Sequence, residues 1–123
     1  MTYRHLLFMQ QRLMAQLRLG YKDKFSLYVD KKRHVIDCTA LCMSCNRLEQ
    51  ETLGHFILLC PIYKPYRLHY LQRFVPESCT IPAERVDSTM LDLLNCSDDL
   101  DKVAAICRYV RSALRLRSFS LNE

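Results

Sequence analysis

Three cysteines and one histidine between residues 42 and 60 constrain this chain more than any other feature. They follow the spacing Cys42-x2-Cys45-x9-His55-x4-Cys60. Two cysteines separated by two residues form a tight turn whose sulfur atoms can meet at one metal ion, and zinc takes four such ligands in a tetrahedron. A closed set of thiolate and imidazole ligands suits zinc better than iron or copper. We predict one structural zinc ion bound by these four residues.

The alternative interpretation is that Cys42 and Cys45 are ordinary buried thiols, since free cysteine is among the most buried residue types. The second half of the motif, His55 with Cys60, favours metal binding. Glu49 lies close to His55 in sequence, as does Glu51, but the sequence does not show that either carboxylate reaches the imidazole.

The chain has seven cysteines, an odd number that excludes complete internal pairing in disulfides. No secretory signal is apparent, so we expect a reducing compartment, nucleus or cytoplasm. Secretion after removal of a signal stays open as an alternative. Cys38 is a candidate to replace a metal ligand, although we expect a spare thiol. The remaining cysteines are expected in the core: Cys79, Cys96 and Cys107.

Length and composition predict one compact domain over residues 1–123. Half the residues are hydrophobic, a quarter are charged and only two are glycine, which is typical of an ordered globular chain. The longest apolar runs are far shorter than the roughly 20 residues that cross a bilayer, so no membrane span is expected. The formal net charge of +5 favours an anionic partner without proving one.

We predict a mostly α fold, a small helical bundle with a CCHC zinc knuckle. It divides into N-terminal helices at 1–36, the knuckle at 37–61 and C-terminal helices at 62–123. Residues 3–19 have apolar side chains every three or four positions, followed by Gly20 as a helix stop. Residues 22–34 are ambiguous, because their apolar residues fit both the alternation of a strand and a helical face. We favour a helix there.

Local signals place the helices around the knuckle. Thr52 is predicted to cap a short helix at 53–59, and Pro61 should force Cys60 into an extended conformation just beyond it. Pro65 is predicted to open the next helix as its first residue. The side chains of that helix expected to point inward are Leu68, Leu71 and Val75.

Two further helices are predicted near the C-terminus. Ser88 begins a short one, and Ser97 with two following aspartates begins a long last helix. The buried stripe expected on the last helix is Leu100, Val103, Ala104, Cys107, Val110 and Leu114.

The run from Cys42 to Pro61 contains the paired cysteines followed by Glu-Thr-x2-His-x4-Cys-Pro. It resembles the zinc-binding region that follows the polymerase in LINE-type (non-LTR) retrotransposon reverse transcriptases. Residues 17–20, Leu-Arg-Leu-Gly, are similar to another element of that family, and Tyr63 and Arg67 stand where the family often has an aromatic residue and an arginine. The resemblance spans nearly the whole chain and is specific at 42–61.

This resemblance implies a largely helical CCHC module that holds template RNA or target DNA during reverse transcription. The chain has no Tyr-x-Asp-Asp polymerase motif and no endonuclease constellation. We interpret it as a stand-alone C-terminal fragment or a domesticated copy with its own Met1. Such a copy can keep the fold and lose the nucleic-acid role.

Cationic and aromatic side chains suggest where RNA or single-stranded DNA would bind. Arginines bind phosphates and aromatic faces stack on bases. The predicted nucleic-acid residues are Tyr63, Tyr66, Arg67, Arg108, Arg111 and Arg115, with Arg12 and Arg117 as possible extensions. The equally physical alternative is that arginines late in a helix stabilise its C-terminus and face water.

Catalysis has little support in the sequence. The other histidines lack a nearby cysteine or serine partner, and Asp98 with Asp99 fits helix capping better than acid–base chemistry. We therefore expect a non-catalytic zinc-stabilised module that binds single-stranded RNA or DNA. The alternative is a retrotransposon-derived module that binds another protein, as an adaptor or effector. The oligomeric state is left open.

Overall fold

The computed structural model describes residues 3–19, 24–45, 47–75, 81–95 and 99–121. The described part is mostly helical and carries one small sheet. Its helices are α1 (Tyr3–Leu19), α2 (Lys64–Tyr70), α3 (Val86–Leu94) and α4 (Leu100–Ser120). The sheet pairs β1 (Lys24–Val29) with β2 (Lys32–Asp37). A π-helical turn at His55–Leu59 and short 3-10 turns at Pro61–Tyr63 and Ala83–Arg85 complete the elements.

The helix favoured over residues 22–34 is wrong, because residues 24–37 form an antiparallel hairpin; residues 22 and 23 lie outside the described ranges. Val29 pairs with Lys32 across a two-residue turn. Both turn residues, Asp30 and Lys31, have positive φ, 55° and 62°, the conformation that matches the twist of the flanking strands. Leu27 and Val29 are buried while Tyr28 between them is exposed, as expected for a half-buried strand.

The first helix forms over the predicted residues and supports the hairpin. Leu13, Met14 and Leu17 are buried, and α1 packs against β1, α3 and α4. The side chain of Leu6, an apolar residue of the predicted helical repeat, and the whole of Gly20, the predicted helix stop, lie outside the described part of the chain. The helix period predicted from the sequence is therefore confirmed where it is described.

The last helix is the central element, packing against α1 and α2. Asp99 caps it, its carboxylate accepting a hydrogen bond from the Lys102 backbone nitrogen at 3.0 Å; Ser97 and Asp98 lie outside the described residues. The predicted stripe is buried except for Leu100, which is exposed, and Ala104, which is half-buried. The buried face is wider than predicted and also includes Ile106, Tyr109, Ala113 and Arg117.

The second and third helices differ in detail from prediction. Leu71 and Val75 are buried as expected, but Leu68 is exposed and Arg67 takes the inward position. Residues 67, 71 and 75 repeat every four positions on the buried side, which leaves Leu68 outside it. Pro65 is the second residue of α2, not the first as predicted. Helix α3 starts two residues before Ser88.

The core beneath the cysteine–histidine cluster is aromatic. The ring of Phe56 meets Tyr63 edge-on at 5.2 Å and lies 6.1 Å from Tyr109 of α4. These rings bind the π-helical turn to the last helix. None of the helices in the described ranges is long and apolar enough to cross a bilayer.

Candidate metal centre

A short backbone ladder positions the first two cysteines. The Cys42 nitrogen donates to the Glu49 carbonyl at 2.7 Å, and the Glu51 nitrogen donates to the Ala40 carbonyl at 2.9 Å. We call residues 40–51 the cysteine loop. Leu48 has a φ of 57°, a left-handed conformation that returns the chain within the loop. The loop thereby brings Cys42 and Cys45 to the same side.

The other two ligand residues lie at the two ends of a capped helical turn. The Thr52 hydroxyl accepts a hydrogen bond from the His55 nitrogen at 3.0 Å, which confirms the predicted cap. The Cys60 nitrogen donates to the His55 carbonyl at 2.7 Å, closing a π-type turn. Cys60 itself is extended, with φ −61° and ψ 122°, as predicted from the proline that follows it.

The four side chains converge. Their ligand atoms all lie within 4.8 Å of one another, and all four residues are buried. Cys42 Sγ is 3.9 Å from Cys60 Sγ, and Cys45 Sγ is 3.5 Å from His55 Nε2. In a tetrahedral site with Zn–S bonds of about 2.3 Å, neighbouring ligand atoms lie about 3.5 to 3.8 Å apart. The donor set and its spacing therefore fit one metal ion.

The cluster is not a disulfide, and its thiols perturb one another. Cys42, Cys45 and Cys60 are free thiols. A hydrogen bond from Cys60, opposed by burial, lowers the pKa of Cys42 to about 3. The same hydrogen bond raises the pKa of Cys60, and burial raises it further. Burial also raises the pKa of Cys45. A bound metal ion would hold all three sulfurs as thiolates, because cysteine binds metal in its deprotonated form.

Two glutamates lie beside the cluster, one at His55 and one at Cys42. Glu49 Oε2 lies 3.3 Å from His55 Nδ1, an ion-pair distance without the alignment of a hydrogen bond, since Nδ1 has no such bond in the described part of the chain. Glu51 Oε2 lies 3.9 Å from Cys42 Sγ. Glu51 also accepts two hydrogen bonds from Arg117, at 3.0 and 2.8 Å. The nearby carboxylates that the sequence left unassigned thus both face the cluster.

Two residues predicted to contact nucleic acid belong to the interior instead. Arg67 is buried and donates to the Cys60 carbonyl at 2.7 Å and to the Tyr109 hydroxyl at 3.3 Å. Tyr63 is buried and donates to Ser44 Oγ at 3.1 Å, and burial raises the pKa of its hydroxyl. Both side chains are occupied in holding the protein together, which removes them from any surface contact.

Arg117, predicted as an extension of the basic surface, is likewise buried by its pairing with Glu51. Sequence reasoning missed this role, and that of Arg67, because helical spacing alone does not show which cation meets a buried acceptor. Cys38 is buried but is not one of the four clustered residues.

The remaining predicted residues do lie at the surface. Arg108 and Arg115 are exposed, Arg111 and Tyr66 half-buried. The Arg115 guanidinium donates to Asp30 at the hairpin turn at 2.6 and 3.1 Å. Arg111 Nε lies 3.9 Å from the same carboxylate. Arg111 and Arg115 thus lie beside the hairpin, and the helical spacing puts Arg108 on the same side of α4.

Comparisons with known proteins add no relative: no family model, no curated protein and no solved structure matches this chain. The resemblance to the reverse transcriptase zinc-binding region therefore remains a prediction from the motif, and the site is interpreted from its own geometry.

Proposed function

We propose that Cys42, Cys45, His55 and Cys60 hold one Zn²⁺ ion and that the ion has a structural, non-catalytic role. The convergence of four buried ligand atoms within 4.8 Å carries this proposal. Four protein ligands leave no open position for water or substrate, which is the mark of a structural site. Thiolate and imidazole together favour zinc among the common divalent ions.

The ion would fasten the cysteine loop to the helical turn that follows it. The loop has little apolar packing of its own, with Leu41, Met43 and Leu48 all exposed. Binding of structural zinc contributes about 10 to 16 kcal/mol in small zinc-finger peptides, comparable with the whole stability of a domain, about 5 to 15 kcal/mol. Zinc is therefore expected to decide whether this chain folds.

Native mass spectrometry and circular dichroism test the metal. We expect one zinc ion per chain and a large loss of helical signal after chelation, reversed by zinc. A protein that keeps its helical spectrum and carries no metal when purified with zinc present would contradict the proposal.

We further propose that the module binds single-stranded RNA or DNA through α4. Arg108, Arg111 and Arg115 are spaced to share one side of that helix. Tyr28 is exposed on the hairpin, and the Arg12 guanidinium lies 5.5 Å from its ring centre. Cations beside an exposed aromatic ring supply phosphate contacts and base stacking. The family resemblance supports the same role and a retrotransposon origin.

Salt-dependent binding tests this surface. A labelled single-stranded RNA or DNA should bind the zinc-loaded protein at low salt, and binding should weaken steeply as salt rises. Replacing Arg108, Arg111 and Arg115 by alanine should abolish most of the affinity and flatten the salt dependence. The matched control replaces three exposed arginines elsewhere, Arg4, Arg47 and Arg85. Equal losses of affinity in the two triple variants would show that binding depends on net charge alone and not on this surface.

The alternative function is binding of another protein, and the cysteine loop favours it. Met43 and Leu48 are 77% and 79% exposed, and Leu41 is half exposed. Such neighbouring apolar side chains are typical of interaction sites. Replacing all three by serine should then eliminate a partner recovered in pull-downs and leave zinc content unchanged. Recovery of nucleic acid alone would dismiss this alternative.

A further inference from the structure

The described interior contains more cationic than acidic side chains. Arg67 is 2% exposed and Arg117 is 6% exposed, whereas Glu51, at 5%, is the only buried carboxylate of the described ranges. Glu51 is already paired with Arg117 through two hydrogen bonds. Arg67 therefore has no carboxylate of its own in the described part of the chain.

The groups around Arg67 do not supply the missing negative charge. Its guanidinium donates to two neutral acceptors, the Cys60 carbonyl and the Tyr109 hydroxyl. Its Nε has no hydrogen-bond partner among the described residues. Burying a cation without an anion nearby costs several kcal/mol, and an arginine cannot avoid this cost by losing its proton.

The metal centre would supply the negative charge that Arg67 lacks. Three thiolates and a neutral imidazole around a divalent cation carry one net negative charge. Arg67 binds the backbone of Cys60, one of those three thiolate residues. Cys60 Sγ lies 3.9 Å from Cys42 Sγ, which is 3.9 Å from Glu51. With the ion bound, the positive charges of Arg67 and Arg117 and the negative charges of Glu51 and the metal centre lie in one continuous buried region.

We propose that Arg67 is the counter-charge of the metal centre, positioning Cys60 and balancing the excess negative charge of a thiolate-rich divalent site. This rests on the metal binding proposed above. A monovalent ion would leave the centre with two negative charges and a trivalent ion with none, so the balance fits a divalent cation. Arg67 touches no ligand atom and acts through the field and the Cys60 backbone.

Zinc affinity of the full chain, measured by competition with a chromogenic chelator, tests the assignment. Arg67→Met should weaken zinc binding by about tenfold or more, the effect of one unit charge several ångströms away at an effective dielectric constant of about 20. Arg108→Met removes the same charge from an exposed position and should stay within about twofold of the parent, because solvent screens it.

Two further variants separate charge from packing. Tyr109→Phe removes one hydrogen-bond acceptor of Arg67 and keeps the charge, so it should lower stability and leave zinc affinity nearly unchanged. Arg67→Met combined with Glu51→Gln restores the balance of buried charge and should recover most of the lost affinity. Should Arg67→Met alone not fold, Arg67→Lys decides, because it keeps the positive charge without the guanidinium geometry: folding with nearly parental zinc affinity supports the proposal, and a protein that does not fold or bind zinc overturns it.

The outcomes distinguish this inference from the metal binding on which it rests. If the parent protein binds no zinc, the metal centre itself is refuted. If the parent binds zinc and Arg67→Met binds it equally well, only the counter-charge role is refuted. A loss in Tyr109→Phe as large as that in Arg67→Met would likewise assign Arg67 to packing.

Discussion

Glu51 and Arg117 meet in the interior although 66 residues separate them, joining the cysteine loop to the C-terminal half of α4. Their bidentate pairing places a carboxylate between the metal cluster and the last helix. Because both side chains are buried, substitutions in this pair should affect stability more than substitutions in an exposed ion pair.

Removing one partner of this pair should be costly. Arg117→Ala leaves the Glu51 carboxylate buried beside the thiolates, and breaking a buried pair costs about 3 to 5 kcal/mol. Arg115→Ala is the matched control, because its pair with Asp30 is largely exposed and such pairs contribute about 0 to 1 kcal/mol. Urea denaturation of the zinc-loaded proteins measures both. Similar costs for the two substitutions would argue against a buried pair.

Cys45→Ser should eliminate metal binding, since serine is a poor zinc ligand and three ligands remain. We expect no bound zinc by native mass spectrometry and a largely unfolded far-ultraviolet spectrum. Cys38→Ser provides the comparison, because Cys38 is buried nearby but lies outside the cluster. It should keep one zinc ion per chain. Loss of zinc in Cys38→Ser would mean that the ligand set is different.

Gly54→Ala should destabilise the protein although alanine is the better helix former by about 1 kcal/mol. Gly54 has helical φ and ψ, but a Cβ there would lie 2.8 Å from Val86 Cγ1. Valine has few alternative rotamers, so we expect a net cost of about 1 to 3 kcal/mol. In a Val86→Ala background the same change should become stabilising. Denaturation of the four proteins measures this reversal, and a stabilised single variant would contradict it.

The hairpin turn should make a pH-dependent contribution to the stability of the protein. The hydrogen bond from Arg115, opposed by burial, lowers the pKa of Asp30 below 3.8. A lowered folded pKa contributes stability that is complete above the unfolded pKa and is lost as the pH falls through the folded value. Because both side chains are largely exposed, the contribution should stay below about 1 kcal/mol.

Nuclear magnetic resonance of the Asp30 carboxyl carbon checks this prediction in zinc-loaded protein. As the pH is lowered through the range in which the protein stays folded, the signal should start to move at higher pH in Arg115→Ala than in the parent. Arg111→Ala, which removes a weaker interaction with the same carboxylate, should have a smaller effect. Identical titrations in all three proteins would refute the pairing.

The candidate metal site was predictable because its signals are short-range. Paired cysteines form a tight loop, Thr52 caps the next turn, and Pro61 holds Cys60 extended; each effect acts within a few residues and needs no knowledge of the fold. The helices α1 and α4 were predictable for a similar reason, since apolar residues that repeat at helical spacing over a long segment indicate an amphipathic helix.

The features that were missed depend on distant partners or on ambiguous local patterns. Apolar and polar residues alternate at 24–29, but this stretch is too short to exclude a helix. The turn at Asp30 and Lys31 also lacks the glycine that usually marks a two-residue hairpin. The burial of Arg67 and Arg117 depends on acceptors contributed by other segments. A surface arginine and a buried one look alike in sequence until the fold supplies those acceptors.

The π-type turn between His55 and Cys60 limits how this chain can change in length. A π turn contains one more residue than an α turn, and the His55 ring and the Cys60 thiol meet because that extra residue is present. Deleting any residue between them would rotate Cys60 by about 100° around the helix axis and take its sulfur away from the cluster. Length variation should therefore be absent from residues 55–60 in any functional copy.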